Sequence, residues 1–230
     1  MRIISIAIIC LFLTVSNLDA SEQESTCYGS TDKGRLENGW QLPKSGKNYQ
    51  SYSTLCDLVG RNYVHSKVHE VVLEAYKILD QRVPNKFYVY GETGWAKGGQ
   101  FKPHKSHQNG LSVDFFVPVL NSKGVSVPLP IGPHNKFGYS IEFDSKGKYS
   151  NYTIDFEAMA AHLLAIKQAS DRNGIKVWRV IFDSELQKLL FKTSKGPELQ
   201  AAFTFSKKKP WIRHDEHYHI DFIVPCKEFR

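Results

Sequence analysis

Along residues 66–81 the apolar side chains Val68, Val71, Val72, Ala75 and Leu79 recur three and four positions apart, which predicts a helix over Ser66–Gln81. A second helix is predicted over Phe156–Asn173, with Asp155 as its N-cap and Gly174 just past its end. Ser184–Phe191 reads as a shorter one. The period changes to two over Ser112–Val119, where Val113, Phe115, Val117 and Val119 share one face and Ser112, Asp114 and Phe116 the other. His217–Val224 alternates in the same way, and Lys86–Gly91 and Ile175–Phe182 also read as strands. Residues 21–62, polar and dotted with Gly29, Gly34, Gly39 and Gly46, read as an irregular arm. Residues 120–153, with Pro128, Pro130, Gly132 and Pro133, read as a loop insertion with a hairpin around Asp144–Gly147. Helices and strands mix without a regular βαβ rhythm, and no repeat or Pro/Gly/Ser-rich linker divides the chain. The expectation is a single α+β domain over 21–230, an antiparallel β-sheet with flanking helices.

The N-terminus has a different pattern. Met1-Arg2 is followed by an almost unbroken apolar run from Ile3 to Val15, and then by small and polar residues up to Ala20. This is the pattern of an export signal cleaved near Ala20. An apolar run of about thirteen residues is short for a bilayer span, so no transmembrane segment is expected. The composition, 41% hydrophobic and 23% charged, is that of a globular chain, and a mean hydropathy of −0.36 excludes a polytopic membrane protein. The net charge is +7, and losing residues 1–20 removes one cation (Arg2) and one anion (Asp19), leaving it unchanged. A basic surface attracts polyanions. In a periplasmic or secreted protein that argues against nucleic acid and for an anionic cell-wall polymer. Cys10 departs with the leader. Cys27, Cys56 and Cys226 then permit one disulfide and one leftover thiol in an oxidising compartment. A Cys27–Cys226 bridge would tie the two ends of the domain together. None of the three is in a CxxC pair, which speaks against a cysteine metal site.

Five of the nine histidines fall in two windows, His104-Lys-Ser-His107 running on to Asp114, and His214-Asp-Glu-His217-Tyr-His219. Neutral imidazole with carboxylate is a natural zinc ligand set, and catalytic sites use three protein ligands with the fourth position open. On an extended strand His217 and His219 project from one face, so one can bind metal while the other stands close to the water it activates. Gly110 lets the chain turn between His107 and Asp114. Each residue alone has an ordinary reading: a strand histidine lining a surface, an i, i+3 pair on an exposed helix, an aspartate capping a turn. The joint pattern of H-x6-D with H-x2-H-x-H is harder to read that way. A structural zinc site is the rival, but such sites are commonly Cys-rich and neither window holds a cysteine.

Together, Tyr90-Gly-Glu-Thr-Gly94, Gly98-Gly-Gln-Phe101, the block from His104 through Asn109-Gly-Leu-Ser-Val-Asp114, and Lys209-Pro-Trp-Ile-Arg-His-Asp-Glu-His-Tyr-His219 resemble the penicillin-insensitive murein endopeptidases. These are zinc peptidases grouped with lysostaphin-type and D-Ala-D-Ala carboxypeptidase-type enzymes and the Hedgehog domain. The resemblance implies that fold and one zinc ion, held by His107, Asp114 and His219. His217 would be the general base, His214 a supporting catalytic histidine, and His104 a neighbour of the metal. The implied reaction is hydrolysis of peptide cross-links in peptidoglycan, at D-alanyl–diaminopimelate, with the peptide stems as partner. Ser112 replaces a common aspartate of the family. Asp144 lacks the matching histidine of a second metal pair, which speaks against a second ion. Lys209 and Trp211 are candidate substrate contacts, with Lys207–Lys209 steering anionic stems. Trp95, Phe137, Tyr139, Tyr149 and Tyr152 are candidate groove walls, and Tyr218 should point into the core. Other readings remain: a D,D- or L,D-carboxypeptidase, a secreted lytic enzyme, or a non-catalytic zinc-stabilised module. The oligomeric state is not legible.

Overall fold

The computed structural model describes residues 23–207 and 212–230. The expected leader, and Lys209 and Trp211, lie outside the described residues. A five-stranded sheet forms the centre, in the order Lys176–Ile181, His217–Ile223, Ser112–Phe116, Tyr88–Tyr90, Tyr49–Ser51. All neighbours are antiparallel except the last pair, which is parallel. The α+β expectation holds. The period-2 pattern divides the sheet into two faces. Val113, Phe115, Tyr218, Ile220 and Phe222 are buried on one, while Ser112, Asp114, His217, His219 and Asp221 share the other.

Helices Ser66–Arg82 and Phe156–Arg172 pack on each other and cover the apolar face. The stripe Val68, Val71, Val72, Ala75 and Leu79 is fully or almost fully buried, each of the larger side chains contributing about 1.5–3 kcal/mol. Asp155 caps the second helix by accepting from the Ala158 amide at 3.0 Å. Gly174, at φ +67°, ends it as the sequence predicts.

The predicted strand Ser112–Val119 stops at Phe116. Pro118 lacks an amide hydrogen and holds Val117 extended. Val119–Leu120 then joins a separate small sheet with Ser126–Val127, Tyr152–Ile154 and Lys148–Tyr149. The insertion does turn at Asp144, whose side chain accepts from the Lys146 and Lys148 amides. The hairpin itself reverses after Tyr149, with Ser150 at φ +52°. The arm over 21–62 is more ordered than expected. Thr26–Gly29 and Gly34–Glu37 form a hairpin, and Tyr49–Ser51 supplies the edge of the central sheet. Strands of three or four residues are too short for alternation to reveal. Helix Gly196–Ala202, which buries Leu199, was not anticipated.

A disulfide joins Cys27 to Cys226, 199 positions apart, and Cys56 is a buried free thiol. The bridge closes a loop of nearly the whole domain, a constraint on the unfolded chain worth about 2–5 kcal/mol. Among the described residues no helix is long and apolar enough to cross a membrane.

The helix Phe156–Arg172 buries one imidazole. Nδ1 of His162 meets the Tyr218 hydroxyl at 2.7 Å among Phe115, Tyr76 and Tyr88. Burial brings its pKa down to about 3, so the folded state binds a proton less well than the unfolded one. The stability contributed by the neutral ring is present above pH 6.5 and is lost as pH falls toward 3, by up to about 1.4 kcal/mol per pH unit. His162→Gln, which does not titrate, is expected to lose less Tm than the parent between pH 6.5 and 4.5 in thermal denaturation. Equal slopes would contradict this.

Candidate active site

In the register of the two central strands His219 lies directly opposite Asp114. Side chains so opposed are within reach of each other, and His219 Nδ1 lies 2.7 Å from Asp114 Oδ1. His107 arrives from the loop before the strand. Its backbone is left-handed at φ +71°, uncommon for a residue with a side chain. Gly110, at φ +77°, completes the reversal, where an added Cβ would stand 2.7 Å from the His65 amide nitrogen. The ring of His107 is fully buried. Its Nδ1–H donates to the Thr93 carbonyl at 2.8 Å, which leaves Nε2 as the bare nitrogen, 3.4 Å from Asp114 Oδ2 and with no hydrogen-bond partner. His104 is one step further out, with Nδ1 3.9 Å from Asp114 Oδ2 and Nε2 engaged by the Glu92 carboxylate and, at 2.8 Å, by the Tyr139 hydroxyl. His104, His107 and Asp114 offer donor atoms all within 4.8 Å of one another.

Outer groups hold these side chains. His219 Nε2–H donates to Asp221 at 2.8 Å, and Asp221 in turn accepts from Ser112 and from Arg179, each at 2.6 Å. Ser112, which replaces a common aspartate of the resembled family, is an anchor of this chain of bonds. Glu216 accepts from His217 Nδ1–H at 2.8 Å. Glu92 is bound by Arg61 and by the Tyr52 hydroxyl.

Burial opposes charge throughout the cluster; at His107 it prevails and lowers the pKa, while at His219, His217 and Asp114 the local partners outweigh it. The carboxylates Asp221 and Asp114 bring His219 up to a pKa of about 10, Glu216 and Asp114 bring His217 up to about 9, and Asp114 lies well below the carboxylate range. Arg61 and His104 hold Glu92 down at about 2. His214 behaves differently. Burial, reinforced by the His217 charge, lowers it to about 3, and its Nδ1–H is committed to the Ile212 carbonyl. Of these two histidines it is His217, not His214, that the surrounding carboxylates keep protonated. His104, His107 and Asp114 thus form a group that could hold a metal ion, with the bare His107 nitrogen beside the Asp114 carboxylate.

Two cavities meet above the cluster. One, of about 330 Å³, is lined by Lys105, Arg179, Ile212, His214 and His219, and the other, of about 420 Å³, by Tyr52, Arg61, Pro103, Phe116 and Phe137. Tyr139 and His217 line both.

The structure thus brings His104, His107, Asp114, His214, His217 and His219 together. Of the expected groove walls, Phe137 and Tyr139 are at the cleft. Trp95 packs instead on Phe101, and Tyr149 on Phe143. Tyr218 is buried, as predicted. Sequence reasoning missed Asp221, Glu216 and Glu92. Asp221 shares strand parity with His217 and His219 and was legible on that ground, whereas Glu216 precedes the strand and has no parity to read.

The cleft is lined by histidines, with His104, His107 and Asp114 placed so that they could hold a cation. The family of penicillin-insensitive murein endopeptidases matches residues 27–229, and the chain belongs to it, as a peptidase acting on murein. No curated protein matches the chain.

Asp221 orients His219 and adds negative charge behind it; loss of such a group behind a metal-ligating histidine typically costs 10–100-fold in metal affinity. Asp221→Asn, which keeps the shape and removes the charge, is expected to weaken binding of a divalent ion by about that factor in a competition titration against a chelator. Unchanged affinity would contradict the assignment.

Proposed function

We propose that the protein is a zinc-dependent endopeptidase that hydrolyses the D-alanyl–diaminopimelate cross-links of peptidoglycan. The observation that carries this reading is the buried, unpartnered Nε2 of His107 beside Asp114. His107, Asp114 and His219 are the ligands, and two imidazoles with one carboxylate suit zinc. When bound, the ion supplies Lewis acidity toward water and the scissile carbonyl.

The chain's own groups do the rest. Glu216 fixes the tautomer of His217, and a divalent ion beside Asp114 would offset the carboxylates that keep His217 protonated in its absence, freeing Nε2 to take a proton from the attacking water and return it to the leaving amine. Neutral His214, its ring 4.6 Å from that of His217, supports its placement. Tyr139 and His104 cover the opposite side. The two cavities flanking His217 favour an endopeptidase over a carboxypeptidase, because a cross-link extends on both sides of the cut bond. Lys105 and Arg179 on one side and Arg61 and Lys102 on the other suit the free carboxylates of the stems. Lys209 and Trp211 are kept as further substrate contacts on sequence grounds. Export by the residue 1–20 leader, with the disulfide, fits a periplasmic or secreted single domain over 21–230.

Purified murein sacculi with elemental analysis of the enzyme test this reading. The expected products are monomers released from dimers, and loss of only a terminal D-alanine would contradict it. His217→Ala should retain the ion and lose about 10²–10⁴-fold in turnover. His219→Ala should lose both. His104→Ala should retain the ion, whereas its loss would mark a closed, four-ligand structural site.

A further inference from the structure

The edge strand Lys176–Ile181 contains a bulge. Val177 pairs with Phe222 and Arg179 with the next residue back, Asp221, so Trp178 is an extra residue with no counterpart. Alternation counted from Val177, which pairs on the apolar face, puts Trp178 on the cleft face and would send Arg179 back toward the helices. The bulge instead lets Trp178, Arg179 and Ile181 all line the cavity that reaches His214, His217 and His219. Trp178 is 48% exposed, and it is nonetheless held in place. The Arg179 guanidinium lies 4.3 Å from the centre of its ring, and Arg179 is itself anchored by the fully buried Asp221 at 2.6 Å. An indole fixed at the rim of a cleft, through the same carboxylate that orients His219, is a preformed flat apolar platform.

Murein offers two chemistries, peptide and sugar. A pyranose ring presents a face of C–H groups to an aromatic ring while its hydroxyls stay at the edge in water. The stem peptide offers mainly charged and amide groups with small methyls. Asp32, an exposed carboxylate, lines the same cavity and adds an acceptor for hydroxyls there. We infer that Trp178 stacks on a sugar of the glycan strand, holding it at the cleft mouth while its stem peptide runs toward His217. The inference rests on the murein reading above. It makes Trp178 a residue that favours glycan-attached cross-links over free peptides.

The test compares two substrates: cross-linked muropeptide dimers that carry their sugars, and the same dimers freed of sugar by an amidase. Steady-state kcat/KM is measured on each for the parent chain, Trp178→Ala and Trp178→Phe. The parent should prefer the sugar-bearing dimer. Trp178→Ala should reduce that preference about tenfold, mainly through KM, and Trp178→Phe should restore most of it. An equal effect of Trp178→Ala on both substrates, or none, overturns the sugar assignment while leaving the endopeptidase reading intact. Failure of the parent to cleave either dimer overturns both.

Discussion

The site depends on one pairing, that of His219 with Asp114 across the two central strands. A slip of one residue in either strand would turn that strand's member of the pair into the helical core and bring its apolar side chains to the cleft. The register is fixed from the other face. Val113, Phe115, Tyr218, Ile220 and Phe222 are all buried there, and the Tyr218 hydroxyl is matched to His162 on the covering helix. The hydrophobic effect on one side of the sheet thus sets the geometry of polar chemistry on the other.

That polar face concentrates charge in a setting that resists it. Asp114, Glu216 and Asp221 are buried, and an unpaired buried carboxylate is strongly unfavourable. Each is matched here by imidazole, by arginine or by hydroxyl. The carboxylates outnumber the permanent cations in contact with them, and protonated His217 and His219 make up the difference. Under the proposed function, a divalent ion would supply that positive charge in place of the histidine protons. The wall above is made by the insertion, where Lys136 and Phe137 adopt left-handed backbone conformations at φ +53° and +56°. Such conformations, costing about 1–3 kcal/mol each, cluster where surrounding structure imposes them for function. Here they precede Tyr139, which with His217 lines both cavities.

Much of this was legible in the sequence because it rests on periodicity. The two long helices, the N-cap at Asp155 and the opposite faces of Ser112–Phe116 and His217–Ile223 follow from spacings of 3.6 and 2. The histidine windows followed from residue type and parity. What was hidden depends on tertiary contact. Glu92 reaches His104 from a separate segment, and the hairpin of the arm is held by pairing and by the disulfide rather than by pattern. The bulge at Trp178 is invisible to alternation because it breaks alternation.

The account is tested most directly by a crystal structure of the zinc-soaked protein, with anomalous scattering recorded across the zinc edge. It predicts one ion bound by His107 Nε2, Asp114 and His219 Nδ1, with a remaining position open to the cavities beside His217. An ion also ligated by His104 and closed to both cavities, or no anomalous peak between these side chains, would contradict it.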